Sequence, residues 1–242
     1  MTESPMKLGK NRTGCGLMGE RKMQAPPVAE ADLDLGTLAA GNLTQKFQQQ
    51  APAIGSIPPP DTAKGMLGAA VQAIKGNKLH VYVDKLGERL AFERGGVRLY
   101  DALLSKYDSA RTNGEHLPPR DAIEAIREEE LEHFRMLHDT IKDLGADPAA
   151  VTPSADLVGV QALGLMQVVA DPRVRFTESL MALLTAERTD TACWQLLVQL
   201  AQSLGQEEAA RRFNEALQTE LRHETLIYNW IGNSVTEQLK VA

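Results

Sequence analysis

The residues best suited to chemistry in this sequence are glutamates and histidines that recur at one spacing in two places. Glu130 and His133 form a Glu-x-x-His motif, and Glu220 and His223 form a second one. Residues three apart on a helix share a face, so each motif would present a carboxylate beside an imidazole. One match alone is weak in a chain rich in glutamate. Two matches on separate predicted helices indicate a common site.

A single glutamate on another predicted helix precedes each motif. These glutamates are Glu93 and Glu187, and an aromatic residue, Tyr100 or Trp194, follows each of them seven positions later. The order along the chain is therefore Glu, Glu-x-x-His, Glu, Glu-x-x-His, which is an internal repeat. Apolar neighbours surround both single glutamates, and this argues against a solvated surface position.

The combination of residues favours a pair of metal ions. Four helices packed around one axis would bring four carboxylates and two imidazoles together, a mixture that suits divalent ions such as Fe(II) or Mn(II). Without metal, the buried carboxylates would repel and desolvate one another at high cost. We therefore predict two iron ions, with manganese as the alternative, and the following ligands: Glu93, Glu130, His133, Glu187, Glu220 and His223.

Helical periodicity predicts the elements that would position these residues. Apolar spacing predicts four helices, over about 83–107, 121–144, 175–204 and 207–230, with Gly145, Gly205 and Gly232 near three of their ends. The connection over 145–174 contains an apolar stretch that we expect to form an extra helix on the bundle. The predicted fold is thus an all-α four-helix bundle over 79–232, with a long crossover between its second and third helices.

The residues outside the bundle have a different composition. Residues 1–65 are rich in Gly, Pro, Gln and Ser, and they predict an extended arm with one short helix between Leu35 and Gln50. We expect this arm to pack across a subunit partner or to be mobile, in a homodimer or larger homo-oligomer. Residues 233–242 are predicted to be a tail.

Composition excludes some classes of function. The net charge of −6 argues against general nucleic-acid binding. The longest apolar stretch, Leu157–Ala170, is interrupted by glutamines and is short for a bilayer, so no membrane span is predicted. Cys15 and Cys193 form no metal or disulfide motif, and no secretory signal is visible, so we expect a reducing cytoplasmic location.

Three further features carry weaker predictions. The charged run of Glu128, Glu129 and Glu132 is expected to be a solvated face. Asp190, three residues after Glu187, is equally compatible with an acidic group near the metals and with a surface position. The pair Gly95–Gly96 costs helix propensity in mid-helix and suggests close approach of a bulky group.

On these six residues, the region 80–232 resembles the ferritin-like superfamily, specifically its bacterioferritin and rubrerythrin-type di-iron carboxylate proteins. The resemblance implies that Glu130 and Glu220 bridge the metals and that the other four residues are terminal ligands. Tyr100 matches a family tyrosine near the metals and is the candidate catalytic residue.

The resemblance implies redox activity toward O2 or hydrogen peroxide, of ferroxidase or peroxidase type. The chain has no rubredoxin-like cysteine cluster, so the electron donor would be a separate and unknown partner. Two alternatives remain: an iron-storage or metal-handling protein in a hollow assembly, and a di-iron oxygenase. For the oxygenase, the crossover and Gly95–Gly96 would leave a pocket for an organic substrate.

Overall fold

The structure is all-helical wherever it is described. A computed structural model describes residues 30–50, 55–74, 76 and 78–240, and these contain seven α-helices and no strand. The helices are α1 (Glu30–Gln50), α2 (Ala63–Ile74), α3 (Leu79–Thr112), α4 (Arg120–Asp143), α5 (Pro153–Ala170), α6 (Phe176–Ser203) and α7 (Glu207–Lys240). The prediction of an all-α chain is confirmed for these residues.

Four long helices form the main packing unit. α3 packs against α4 and α6, and α7 packs against α6 and α4, so each of the four has two neighbours within the group. The antiparallel pairs α3–α4 and α6–α7 are therefore two helical hairpins placed side by side. α5 lies in the crossover between them and contacts α3 and α6, as the sequence predicted for an extra helix.

The core of this four-helix group consists of two apolar clusters with a polar layer between them. One cluster includes Leu103, Ile126 and Leu180, and the other includes Leu86 and Leu137. Along α4, α6 and α7 the predicted ligand residues fall between the residues of one cluster and those of the other, and in α3 Glu93 lies where the residues of one cluster give way to those of the other. Two apolar layers thus enclose the polar groups and hold them away from water.

Glycines terminate two of the long helices at the predicted positions. Gly145 follows α4 with φ +76°, and Gly205 follows α6 with φ +68°. This left-handed conformation lets the next residue reach back to a free carbonyl of the last turn. The N–H of Ala146 donates to Ile141 O at 3.1 Å, and the N–H of Gln206 donates to Ala201 O at 2.9 Å.

Two helices are longer than the sequence predicted. α3 begins at Leu79 and ends at Thr112, and α7 continues past Gly232 to Lys240 through residues predicted to be a tail. Once a helix has formed, each further residue adds one backbone hydrogen bond. A single glycine therefore does not end a helix. Residues 241–242 of that predicted tail lie outside the described residues.

The chain divides into two compact units, 1–52 and 53–242. In the first unit, α1 covers and extends the short helix predicted between Leu35 and Gln50, and its described side chains from residue 39 onward are exposed. The rest of the predicted arm, over 1–29 and 51–54, lies outside the described residues. The second unit includes segment 55–62 and α2, although the sequence predicted an arm through residue 65. Ser56 N–H donates to Val151 O, and Asp61 N–H donates to Gly145 O.

α5 has an unusually apolar and exposed surface. It is the one helix of the described chain that is long and apolar enough to cross a bilayer, with a mean hydropathy of 1.2, and only 17% of it is buried. Leu157, Val160 and Leu163 are each more than half exposed. A single helix of this kind is weak support for a membrane span, because composition and length alone qualify it.

Candidate metal centre

The six predicted ligand residues lie together inside the four-helix group. They form two overlapping sets whose ligand atoms lie within 4.8 Å of one another: Glu93, Glu130, His133 and Glu220 in the first, and Glu130, Glu187, Glu220 and His223 in the second. Glu130 and Glu220 belong to both sets. We call the candidate metal positions defined by the first and the second set the first and the second position.

Both histidines direct Nδ1 toward the carboxylates. His133 Nδ1 lies 2.7 Å from an oxygen of Glu220, and His223 Nδ1 lies 3.3 Å from oxygens of both Glu130 and Glu220. The two residues of each Glu-x-x-His motif therefore face one interior point, as the three-residue spacing predicted.

Burial of these groups is nearly complete. The six residues are between 0% and 7% exposed. Several of their inward atoms have no hydrogen bond among the described residues, namely both carboxylate oxygens of Glu93 and Glu220, one oxygen each of Glu130 and Glu187, and Nδ1 of both histidines. Buried polar atoms without partners are costly and rare in folded proteins. A set of lone pairs that converge on one point is what a metal ion would satisfy, so the residues present fit a metal pair.

The environment disfavours charged carboxylates in the metal-free protein. Burial raises the pKa of Glu93, Glu130 and Glu220 well above the usual 4.5, and neighbouring carboxylates raise it further. In the metal-free protein, burial and the neighbouring carboxylates therefore favour the protonated form of these groups. Metal ions would replace those protons, because a carboxylate coordinates in its ionised form.

The pKa values of the two histidines shift in opposite directions. Burial lowers the pKa of His223, but the carboxylates of Glu130, Glu187 and Glu220 facing its Nδ1 raise it, and their effect prevails, so the pKa lies well above 6.5. Burial lowers the pKa of His133 and prevails there.

Tyr100 and Trp194 lie beside ligand residues. The Tyr100 hydroxyl is buried and donates a short hydrogen bond to Glu187 Oε1. The Trp194 ring meets the His133 ring edge-on at a centroid distance of 5.4 Å. Each aromatic residue thus contacts a ligand residue of the other repeat. Trp194 also packs against Phe213, so it contributes to the apolar core as well.

Close backbone approach explains one of the two adjacent glycines. A β-carbon at Gly96 would overlap the Glu130 carboxylate, whereas a β-carbon at Gly95 would meet no atom within 4 Å. The predicted bulky neighbour of the glycine pair is therefore Glu130, and only Gly96 makes room for it.

A buried ion pair next to the cluster was not predicted. Arg89 and Asp190 are each 1% exposed, with Arg89 Nη1 2.8 Å from Asp190 Oδ1, and Arg89 Nε lies 3.4 Å from Glu93 Oε1. Of the two interpretations of Asp190, the structure supports the acidic group near the cluster. Because Arg89 balances Asp190, four glutamates remain, and two dications would neutralise them.

Glu129 was expected to lie on a solvated face, and its side chain is 32% exposed, but it also contacts a ligand residue. One of its oxygens lies 2.7 Å from His223 Nε2, and the other accepts a hydrogen bond from Arg222 at 2.7 Å. The sequence did not predict this contact, because a run of glutamates does not reveal which residue faces the neighbouring helix. By contrast, Glu128 pairs with surface arginines, as expected.

The fold and the cluster together define an all-helical protein with buried carboxylate and histidine groups that could hold metal. The chain belongs to the family described as Domain of unknown function (DUF892), whose model matches residues 78–240. That family is in the ferritin-like superfamily, so the predicted resemblance is confirmed at that level, and the bacterioferritin or rubrerythrin type stays a prediction. No curated protein and no solved structure matches the chain.

Proposed function

We propose that this protein binds two iron ions, with manganese as the alternative, and reacts with O2 or hydrogen peroxide as a ferroxidase or peroxidase. The observation that carries the proposal is the overlap of the two ligand sets at Glu130 and Glu220. Shared carboxylates hold two metals close together, which is the arrangement that two-metal chemistry requires. A bound pair of redox-active ions would supply the electrons for reduction of the oxidant.

The ligand residues have distinct tasks in this proposal. Glu130 and Glu220 would hold both metals, Glu93 and His133 would complete the first position, and Glu187 and His223 the second. Oxygen-rich ligand sets with one imidazole each suit Fe(II) and Mn(II) better than softer metals. The apolar layers on both sides of the cluster exclude bulk water from these groups.

Tyr100 is proposed to supply an electron when the metal pair lacks an external donor. Its hydroxyl hydrogen bond leads to Glu187 Oε1, so the phenol proton has an acceptor when the electron leaves. Burial raises the Tyr100 pKa well above its usual value, and the Glu187 charge adds to this, so the phenol is held in its protonated form.

Metal analysis and oxidant consumption test the function. Protein purified without chelator, or reconstituted anaerobically with Fe(II), should contain two metal ions per chain and should consume O2 or hydrogen peroxide. Glu130→Ala should lose metal and activity together, and the surface variant Glu128→Gln should match the parent. Metal binding without consumption of either oxidant would refute the redox proposal.

A radical experiment tests Tyr100 separately. Oxidant added to the ferrous protein should produce a transient tyrosyl signal in electron paramagnetic resonance, and Tyr100→Phe should remove that signal while retaining metal. Trp194→Phe serves as the comparison for a tryptophanyl signal. If the parent gives no radical and both variants oxidise normally, the two aromatic residues only pack against the ligands.

The alternatives receive less support. Two grooves beside α2, of about 340 Å³ and about 550 Å³, are lined by none of the six ligand residues, so they provide no substrate pocket for an oxygenase at the cluster. Iron storage would require a closed hollow assembly. Measurement of the particle size in solution distinguishes such an assembly from a dimer.

A further inference from the structure

The two metal positions have unequal support from the residues around them. At the second position, the outer nitrogen of His223 contacts the Glu129 carboxylate at 2.7 Å. Since a carboxylate accepts, Nε2–H is the donor in this contact, and Nδ1 is the nitrogen that would bind a metal ion in the cluster. A carboxylate behind a metal-binding histidine fixes the ring orientation and raises its basicity.

The first position has no equivalent of this contact. No described side chain hydrogen-bonds His133 Nε2, and its aromatic contacts are with Trp194 and His223. The internal repeat explains why: Glu129 directly precedes the glutamate of the first motif, and Thr219 occupies the matching place before Glu220. The asymmetry is therefore present in the sequence as well as in the structure.

The surroundings of the two single glutamates also favour metal binding at the second position over the first. Glu187 of the second position accepts the Tyr100 hydrogen bond, and no described arginine or lysine contacts it; its other contact is with His223 Nδ1 of the same position at 3.5 Å. Glu93 of the first position lies 3.4 Å from the buried Arg89 guanidinium, which competes with a metal ion for the same carboxylate. In the repeat, Leu183 stands four residues before Glu187, where Arg89 stands before Glu93.

We propose that the two positions bind metal with different affinity, and that Glu129 acts as a positioning residue that makes the Glu187–His223 position the tighter one. The Glu93–His133 position is the weaker and more readily exchanged one. This inference rests on the proposed function only in requiring that the cluster bind two metals, and it is independent of the reaction with an oxidant.

The inference is tested on the full chain by titration with Co2+ under anaerobic conditions. Calorimetry and the visible absorption of the bound ion measure each binding step. The parent should show two resolved binding steps. Glu129→Gln should weaken the tighter step by about 10- to 100-fold, the usual effect of removing such a carboxylate, and should shift the absorption of the first ion bound. Its neighbour Glu128→Gln, which also removes one surface carboxylate, should reproduce the parent titration.

Ligand variants assign the steps to positions. His223→Ala should abolish the tighter step, and His133→Ala should abolish the weaker one. Glu129 is about one-third exposed, so Glu129→Gln should fold normally, and its metal-free melting temperature checks this. Two equal steps in the parent, or a Glu129→Gln titration equal to that of Glu128→Gln, would overturn the inference and leave the proposed function intact. Failure of the parent to bind Co2+ at all would overturn both.

Discussion

The adjacent glycines of α3 provide a matched pair of substitutions that tests the position of Glu130. In Gly95→Ala the new methyl group meets no atom within 4 Å, and in Gly96→Ala it overlaps the Glu130 carboxylate. Both changes favour the helix by the same amount, about 0.5–1 kcal/mol, because alanine loses less conformational entropy than glycine. Any difference between the two variants therefore reports the contact with Glu130.

The expected difference appears mainly when metal is bound. The overlapping atoms at Gly96 are the end of a side chain, so the metal-free protein can rotate Glu130 at modest cost. Rotation removes Glu130 from both ligand sets. A tenfold loss of affinity at each position would remove about 3 kcal/mol of metal-dependent stabilisation at a fixed metal concentration. In a chain of this size that corresponds to roughly 6–12 °C in melting temperature.

The assay compares melting curves with chelator and with excess Fe(II) or Co2+ under anaerobic conditions. Gly95→Ala should melt slightly above the parent in both states and should retain the parent's increase on addition of metal. Gly96→Ala should melt near the parent with chelator and should lose most of that increase. If Gly96→Ala retains the full increase and binds two ions, Glu130 does not hold metal where the structure places its carboxylate.

Three further predictions concern pH, the buried ion pair and the first unit of the chain. The raised pKa values of Glu93, Glu130 and Glu220 mean that the folded metal-free state binds more protons than the unfolded state above the usual pKa of 4.5. Their contribution to stability is complete below that pH and is lost as pH rises, so metal-free protein should become less stable as the pH rises above about 4.5, and Glu130→Gln should flatten the decline in urea unfolding. Arg89→Met leaves Asp190 buried without its partner and should lower the free energy of unfolding by about 3–5 kcal/mol. The control Arg188→Met breaks an exposed ion pair and should lower it by less than about 1 kcal/mol. Removal of residues 1–52 should leave metal content unchanged, because all six ligand residues lie in the second unit, and loss of metal on truncation would instead show that the first unit completes the site.

The repeat of Glu and Glu-x-x-His predicted which six residues meet, because helical spacing and hairpin order are both encoded locally. The residues that support the ligands were harder to predict. Arg89 and Asp190 lie on different helices, and Glu129 contacts His223 across two helices, so these pairs depend on the register in which the helices pack. Asp190 shares the face of Glu187, which marked it as a candidate without identifying Arg89 as its partner.

The C-terminal ends of the long helices were predictable where a glycine adopts the left-handed conformation. Gly145 and Gly205 do so, and they end α4 and α6. Gly232 gave the same signal in the sequence, but α7 continues through it to Lys240. Ser234 Oγ in that extension donates to His116 O, a tertiary contact that a local pattern does not contain.

Each hairpin contributes one glutamate to the ligand set of the other hairpin, and this has a consequence for how the protein would unfold. The first ligand set takes three residues from α3–α4 and Glu220 from α7, and the second takes three from α6–α7 and Glu130 from α4. Neither hairpin alone holds a complete set, so two bound ions would act as cross-links between segments distant in sequence. The hairpins could then separate only after metal leaves, and the rate of metal release would set an upper limit on the rate of unfolding.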